Sequence, residues 1–212
     1  MSWTFAITTD YSDPFMIVEM VHSINNLRLP STEFECLVIG PAQHYIEARR
    51  VSGFRYIPFQ EIKPGWVTRK KNILCQEALF ENVLLMHDYF IFDPDWANQM
   101  ALLNDEWDIV SCQQRLITGK RHFTDWVMWD HPSIPRYTAI DYNDWSMTKY
   151  QYISGGFFGV KRSFALQNPF NENMLWGQAE DVEWSMRVRN KARIKCQGTA
   201  IVTHKKWHRD AK

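Results

Sequence analysis

The block Trp176-Gly-Gln-Ala-Glu-Asp-Val-Glu-Trp184 sets an aromatic ring and a turn glycine before two adjacent carboxylates, Glu180 and Asp181. A flat ring beside a carboxylate suits gripping a polyol and taking a proton from one of its hydroxyls. Acids at a helix start are also favoured by the helix dipole, so the same residues could serve as N-terminal charges and nothing more. The upstream pair Gly155-Gly156, after Ser154, favours chemistry, because backbone without side chains allows close approach to the same region.

His87-Asp88 follows the apolar run Val83-Leu-Leu-Met86. A carboxylate beside an imidazole at the mouth of a buried strand is costly unless it is solvated, paired or bound to a cation. The oxygen of Asp88 suits Mg or Mn, and an imidazole shifts that preference toward Mn. Asp88 alone is too small a ligand set, and His204, at the end of the last apolar run, is the best second metal ligand; each histidine taken singly is more simply a satisfied core or surface residue. Thr8-Thr9-Asp10 supplies two hydroxyls and an acid after the first strand, suited to a ribose or a base, or equally to a plain turn. Arg69, Lys70 and Lys71 at a helix start oppose the dipole, which a bound diphosphate would reverse; a solvated basic face is the bland alternative.

These residues must be held by a particular set of elements. Trp3 to Thr8 reads as a strand, and Asp13 caps a helix that has Pro14 at its first position. Ile17, Val21 and Ile24 give that helix an apolar face, and Pro30 stops it. Glu35 to Gly40 and Phe54 to Phe59 read as further strands, Thr68 to Phe80 as a helix, and Val83 to Met86 as a fourth strand. Asp93-Pro94-Asp95 reads as the cap of a helix over Trp96 to Leu103. Asp108 to Gln113, Tyr152 to Val160 and Thr199 to Thr203 have strand character, and a helix begins near Ala179. Continuous rather than alternating apolar strands between helices predict a parallel sheet covered on both faces. In such sheets ligands bind beyond the carboxyl ends of the strands, where Thr8, Gly40 and His87 stand.

Composition narrows the partners. With 212 residues and no linker, repeat or low-complexity tract, a single domain is predicted over residues 1–212. Lys plus Arg and Asp plus Glu are 24 each, so no charge excess drives binding to nucleic acid. The start lacks a signal-peptide pattern and no apolar run spans a membrane, which predicts a cytoplasmic location. Cys36, Cys75, Cys112 and Cys196 form no CxxC pair, consistent with buried thiols in a reducing compartment. Ten Trp residues, several beside acids, suit sugar surfaces as well as a core.

Taken in order, Thr8-Thr-Asp10, Thr68-Arg-Lys-Lys-Asn72, Val83-Leu-Leu-Met-His-Asp-Tyr89, Ser154-Gly-Gly-Phe157 and the Trp176 block resemble the GT-A glycosyltransferases over roughly residues 3 to 205. The sequence also resembles the amino-terminal glycosyltransferase domain of a larger chlorella-virus protein, which implies further domains in a longer chain and a host-cytoplasm location. The resemblance implies a GT-A (Rossmann-like) fold, a mostly parallel sheet between helices in an α/β/α sandwich, with a nucleotide-binding half over about 1–100 and an acceptor and catalytic half over about 101–212. It implies a nucleotide-sugar donor, most simply a UDP-hexose, held by Thr8, Thr9 and Asp10, with Arg69 and Lys71 near its diphosphate. Asp88 stands where an Asp-x-Asp metal motif is expected, with His204 as a second ligand to Mn or Mg. Asp181 or Glu180 matches the acidic base, and Gly155, Gly156 and Trp176 lie on the sugar side. Residues 115–150, including Asp125-Trp126 and Asp144-Trp145, are expected to shape the side that takes a glycan or glycoprotein acceptor. A sugar nucleotidyltransferase would carry a Gly-rich basic loop after its first strand, which Thr8-Thr-Asp-Tyr-Ser-Asp13 lacks; a sugar-binding module without turnover is the second alternative.

Overall fold

The computed structural model describes residues 1–206. In chain order its elements are β1 (Trp3–Thr8), α1 (Pro14–Asn25), β2 (Phe34–Pro41), α2 (Tyr45–Ala48), β3 (Arg55–Phe59), α3 (Val67–Glu77), β4 (Asn82–His87) and β5 (Phe90–Phe92). The second half holds α4 (Trp96–Ala101), β6 (Ile109–Leu116), β7 (Val127–Met128), β8 (Thr138–Ala139), β9 (Gln151–Tyr152), β10 (Phe157–Lys161), α5 (Arg162–Gln167), α6 (Glu180–Val188) and β11 (Ile194–His204).

One sheet runs β3-β2-β1-β4-β10-β6-β11-β5. The pairs β1–β2, β1–β4, β2–β3 and β6–β11 are parallel, while β10 runs antiparallel to β4 and β6, and β5 antiparallel to β11. The sheet is mostly parallel, as expected, and β10 is the strand that joins its two parallel parts. A small second sheet, β8-β7-β9, is built from three two-residue strands between Val127 and Tyr152.

Every residue of β1 is buried because both faces of the sheet are covered. Trp3, Phe5 and Ile7 pack with α1 and α4, whereas Ala6 packs with α3, α5 and α6 on the opposite face. Trp3 stacks on Trp107, with centroids 5.9 Å apart, and meets the edge of Trp96 at 5.4 Å. These tryptophans are fully buried core, not sugar platforms.

Asp13 caps α1 as expected, its Oδ1 accepting from the N–H groups of Phe15 at 3.1 Å and Met16 at 3.4 Å, with Pro14 opening the helix. Asp13→Ala should cost about 1 kcal/mol, read as a lower urea midpoint at unchanged slope; an unchanged midpoint would show the cap to be idle.

Three local expectations are corrected. The run Tyr152 to Val160 is not one strand: it is broken at Ser154-Gly155-Gly156, so β9 and β10 belong to different sheets. Asp95 holds the N-cap position of α4 without capping it, because its carboxylate accepts from the side chains of Asn98 and Gln99. That helix ends at Ala101 and does not reach Leu103. No described helix is long and apolar enough to cross a membrane.

Candidate functional site

A cavity of about 900 Å³ opens at the carboxyl ends of β1 and β4. Thr8, Thr9 and Asp10 line it together with Asp88, Lys70 and His204. The end of β1 is tied to the end of β4 through one hydroxyl: Thr9 Oγ1 donates to Asp88 Oδ2 at 2.6 Å and accepts from the N–H of Tyr11 at 2.8 Å. Tyr11 has φ 59°, a left-handed conformation that turns the chain sharply after Asp10. Burial pushes the Asp88 carboxyl up, against the Thr9 hydrogen bond and the charge of Lys206, whose Nζ lies 3.7 Å from Asp88 Oδ1.

The basic helix start resolves differently from the sequence expectation. Arg69 is bound by Glu172 at 2.9 Å and lines no part of the cavity. Lys71 points inward, 1% exposed, with its Nζ lacking a hydrogen-bond partner among the described residues. Burial pushes its pKa down, opposed by Glu180 and Asp181, and the ammonium also lies 5.0 Å from the Phe170 ring centroid. Of the three, it is Lys70 that lines the cavity, donating to the Thr9 carbonyl at 3.3 Å and sitting 3.4 Å from Glu61. On α3, one step of sequence turns a side chain by about 100°, enough to separate a wall residue from a core residue.

Adjoining the main cavity and sharing part of its wall is a smaller chamber of about 140 Å³. His87, Tyr89, His122, Trp176 and His204 line both spaces, and the chamber adds Gly155, Gly156, Glu180 and Asp181. His87 Nδ1 is 2.9 Å from Tyr89 Oη, and His204 stacks on His122 at 4.8 Å. Burial holds His87 neutral, its pKa pushed down to about 3, with Lys71 adding to the effect. Burial likewise takes His204 down to about 4, with His122 contributing. His204 Nδ1 and His87 Nε2 are buried without hydrogen-bond partners among the described residues.

Asp181, on the first turn of α6, is held from two sides. Its Oδ2 accepts from Tyr152 Oη at 2.5 Å and from the N–H of Gly155 at 3.1 Å, while Oδ1 accepts only the N–H of Val182, at 2.9 Å. With both lone pairs of Oδ2 engaged, Oδ1 keeps one for a proton. Gly155 is required by close approach: a Cβ there would sit 2.8 Å from Asp181 Cβ and 2.9 Å from Lys71 Nζ. Burial raises the pKa of Glu180, with Lys71 opposing and Asp181 adding to the rise. Trp176 is 67% exposed at the rim and is anchored by its N–H to the Gly65 carbonyl at 2.8 Å. Gly177, with φ 80°, makes the turn that follows.

Asp125 and Trp126, expected on the acceptor side, are interior residues. Trp126 is fully buried among apolar side chains, and its Nε1 donates to the Asp144 carbonyl at 3.4 Å. The Asp125 carboxylate accepts from Arg121 Nε at 2.7 Å, the N–H of Trp126 at 2.7 Å and the Tyr142 hydroxyl. It organises the irregular segment instead of meeting a ligand. Trp145 lines neither cavity.

Among the described residues, no group of three or more His, Cys, Asp or Glu side chains is placed to hold a metal ion. Asp88 and His204 do share the cavity wall, and the buried, unpartnered Nδ1 of His204 fits a metal ligand, so these two would need oxygens from a bound ligand to complete a coordination shell.

No protein-family profile matches this chain. A search of curated protein sequences likewise returns no match. Solved structures do match. S. aureus TarS residues 1–349 align with a TM-score of 0.68 at 16% identity, covering 97% of this chain and 60% of that one. The same fragment in complex with UDP gives 0.67 at 16% identity, covering 96% and 60%. In complex with UDP-GlcNAc it gives 0.66 at 17%, covering 98% and 60%. The chain thus spans about 60% of the length of that TarS fragment. Over nearly all of its own length this chain is similar in fold to S. aureus TarS, at an identity that carries the architecture alone.

Proposed function

We propose that this chain is a glycosyltransferase that takes a sugar from a nucleoside-diphosphate sugar, most simply a UDP-hexose, and passes it to a hydroxyl of a glycan or glycoprotein. The observation that carries this is the pairing of a large cavity at the strand ends with a small inner chamber that holds a carboxylate. Thr8, Thr9 and Asp10 suit the nucleoside, and Lys70 and Lys206 bring positive charge toward a diphosphate. Trp176 offers a flat surface at the rim, where the acceptor enters. The fold is one that in TarS accommodates UDP and UDP-GlcNAc, which supports the choice of donor class.

Asp181 Oδ1 would accept the proton of the acceptor hydroxyl as that oxygen attacks the anomeric carbon. The Tyr152 hydroxyl and the Gly155 N–H fix the carboxylate while it does so. Asp88 and His204 are the residues that would hold a divalent ion, Mn or Mg, and such an ion supplies charge neutralisation for the departing diphosphate.

The test is calorimetric titration of UDP and of UDP-GlcNAc into wild type and Asp88→Ala, with Mn present and then chelated. Binding of both ligands is expected, weakened at least tenfold by the substitution and by chelation. Failure of wild type to bind any UDP compound would overturn the proposal. Binding indifferent to chelation would remove the metal from it.

A further inference from the structure

We infer that Gln114 selects the transferred sugar, its side-chain amide donating a hydrogen bond to a hydroxyl oxygen of that sugar seated in the inner chamber. This rests on the glycosyltransferase reading above and adds to it a residue absent from every motif in the sequence.

Gln114 sits in the carboxyl half of β6 and is only 1% exposed. Its Nε2 is buried and has no hydrogen-bond partner among the described residues. Buried amides are nearly always satisfied, so an orphan of this kind calls for a missing partner. The residue lines the inner chamber and not the large cavity. Its partner is therefore whatever fills that chamber.

Size decides what this is. At about 140 Å³ against about 900 Å³ for the main cavity, the smaller space suits the compact end of a nucleotide sugar, its single sugar ring, and leaves the larger to the nucleoside diphosphate. Asp181 and Gly155 lie on the same lining, so a ring seated there is next to the carboxylate that would act on the transfer. The chemistry agrees: Nε2 can only donate, and a sugar hydroxyl oxygen is an acceptor.

Gln114 is also preorganised. Its carbonyl accepts from the N–H of His122 at 2.8 Å, and its own N–H points to Asp125 Oδ2 at 3.4 Å. The strand is thus clamped from the irregular segment, and the amide cannot easily retreat to find water. A site built to hydrogen-bond a substrate hydroxyl discriminates strongly against a sugar that lacks it, since the buried group is then left unpaired.

The experiment compares the full chain with Gln114→Met and Gln114→Glu, titrated with UDP and with UDP-glucose, UDP-galactose and UDP-GlcNAc. Gln114→Met keeps the length of the side chain and removes the donor; Gln114→Glu keeps its shape and replaces the donor by an acceptor. UDP affinity is expected to stay within twofold of wild type in both variants, while the preference for the best UDP-sugar over UDP falls at least tenfold. Should Gln114→Met fail to fold, Gln114→Glu carries the comparison. Unchanged preference in a folded variant overturns the role of Gln114 and leaves the glycosyltransferase proposal standing. Wild type that binds no UDP compound overturns both.

Discussion

Asp181→Asn is expected to lower kcat by about 10²–10⁴-fold, the usual worth of a positioned general base, with UDP affinity within twofold of wild type. The amide oxygen can still accept from Tyr152 and Gly155 in place of Oδ2, so the loop geometry survives the change. What is lost is the basic lone pair on Oδ1, together with the hydrogen bond that this oxygen accepts from the Val182 N–H. The measurement is UDP release from the donor under saturating acceptor, alongside calorimetric titration of UDP. A drop smaller than tenfold would show that Asp181 is not the proton acceptor, and Glu180→Gln would then be the variant to make. Parallel loss of UDP binding would point to a folding defect instead. The anomeric configuration of the product, read by NMR, completes the assignment: inversion fits a base acting on the acceptor, and retention would have the carboxylate stabilise an oxocarbenium-like centre.

The second large effect is on stability. The Asp125 side chain is completely buried and neutralises Arg121 at 2.7 Å while also accepting from Tyr142 and Trp126. The Arg121 guanidinium in turn donates to the carbonyls of Ile140 and Trp126 and lies 4.2 Å from the Tyr142 ring centroid. Asp125→Ala leaves a half-buried guanidinium without its counter-charge and a phenol without its acceptor. Breaking a buried pair in this way costs about 3–5 kcal/mol. For a chain of this size that corresponds to a fall in Tm of roughly 6–20 °C, measured by scanning calorimetry. Asp125→Asn keeps an acceptor and should fall between the two. A loss under about 3 °C for Asp125→Ala would mean that the network re-forms around water and that Asp125 is dispensable to the fold.

These two carboxylates illustrate what a sequence can and cannot carry. The parallel strands were legible because both faces of β1, β2 and β4 are buried, so their apolar runs are unbroken. The cap at Asp13 and the start of α6 were legible because they depend on neighbours a few residues away. Asp125-Trp126 has the same acid-before-aromatic pattern that suggested a sugar surface elsewhere. Its partners Arg121 and Tyr142 come from an irregular segment whose path no period describes, so burial could not be read. The distinction among Arg69, Lys70 and Lys71 depends on which face of α3 turns to the cavity and which to the core, and three consecutive cations do not mark that face. Tyr152 to Val160 reads as continuous because apolar residues flank Ser154-Gly155-Gly156 on both sides, and the break is only three residues long. Gln114 left one faint sign, a glutamine pair in the carboxyl half of a largely buried strand, which shows a polar interruption and not what faces it.

The position of β10 has a consequence for how the molecule is made. Residues 1–87 supply four strands in parallel register, but the free edge of β4 gains its partner only from residues 157–161. During synthesis at about 5–20 residues per second, that edge stays open for several seconds while the intervening chain emerges. An open strand edge is a template for pairing with another chain. β11, which carries His204, joins β6 later still. The part of the cavity built on the ends of β1 and β4 is therefore outlined long before the wall that carries His204 exists.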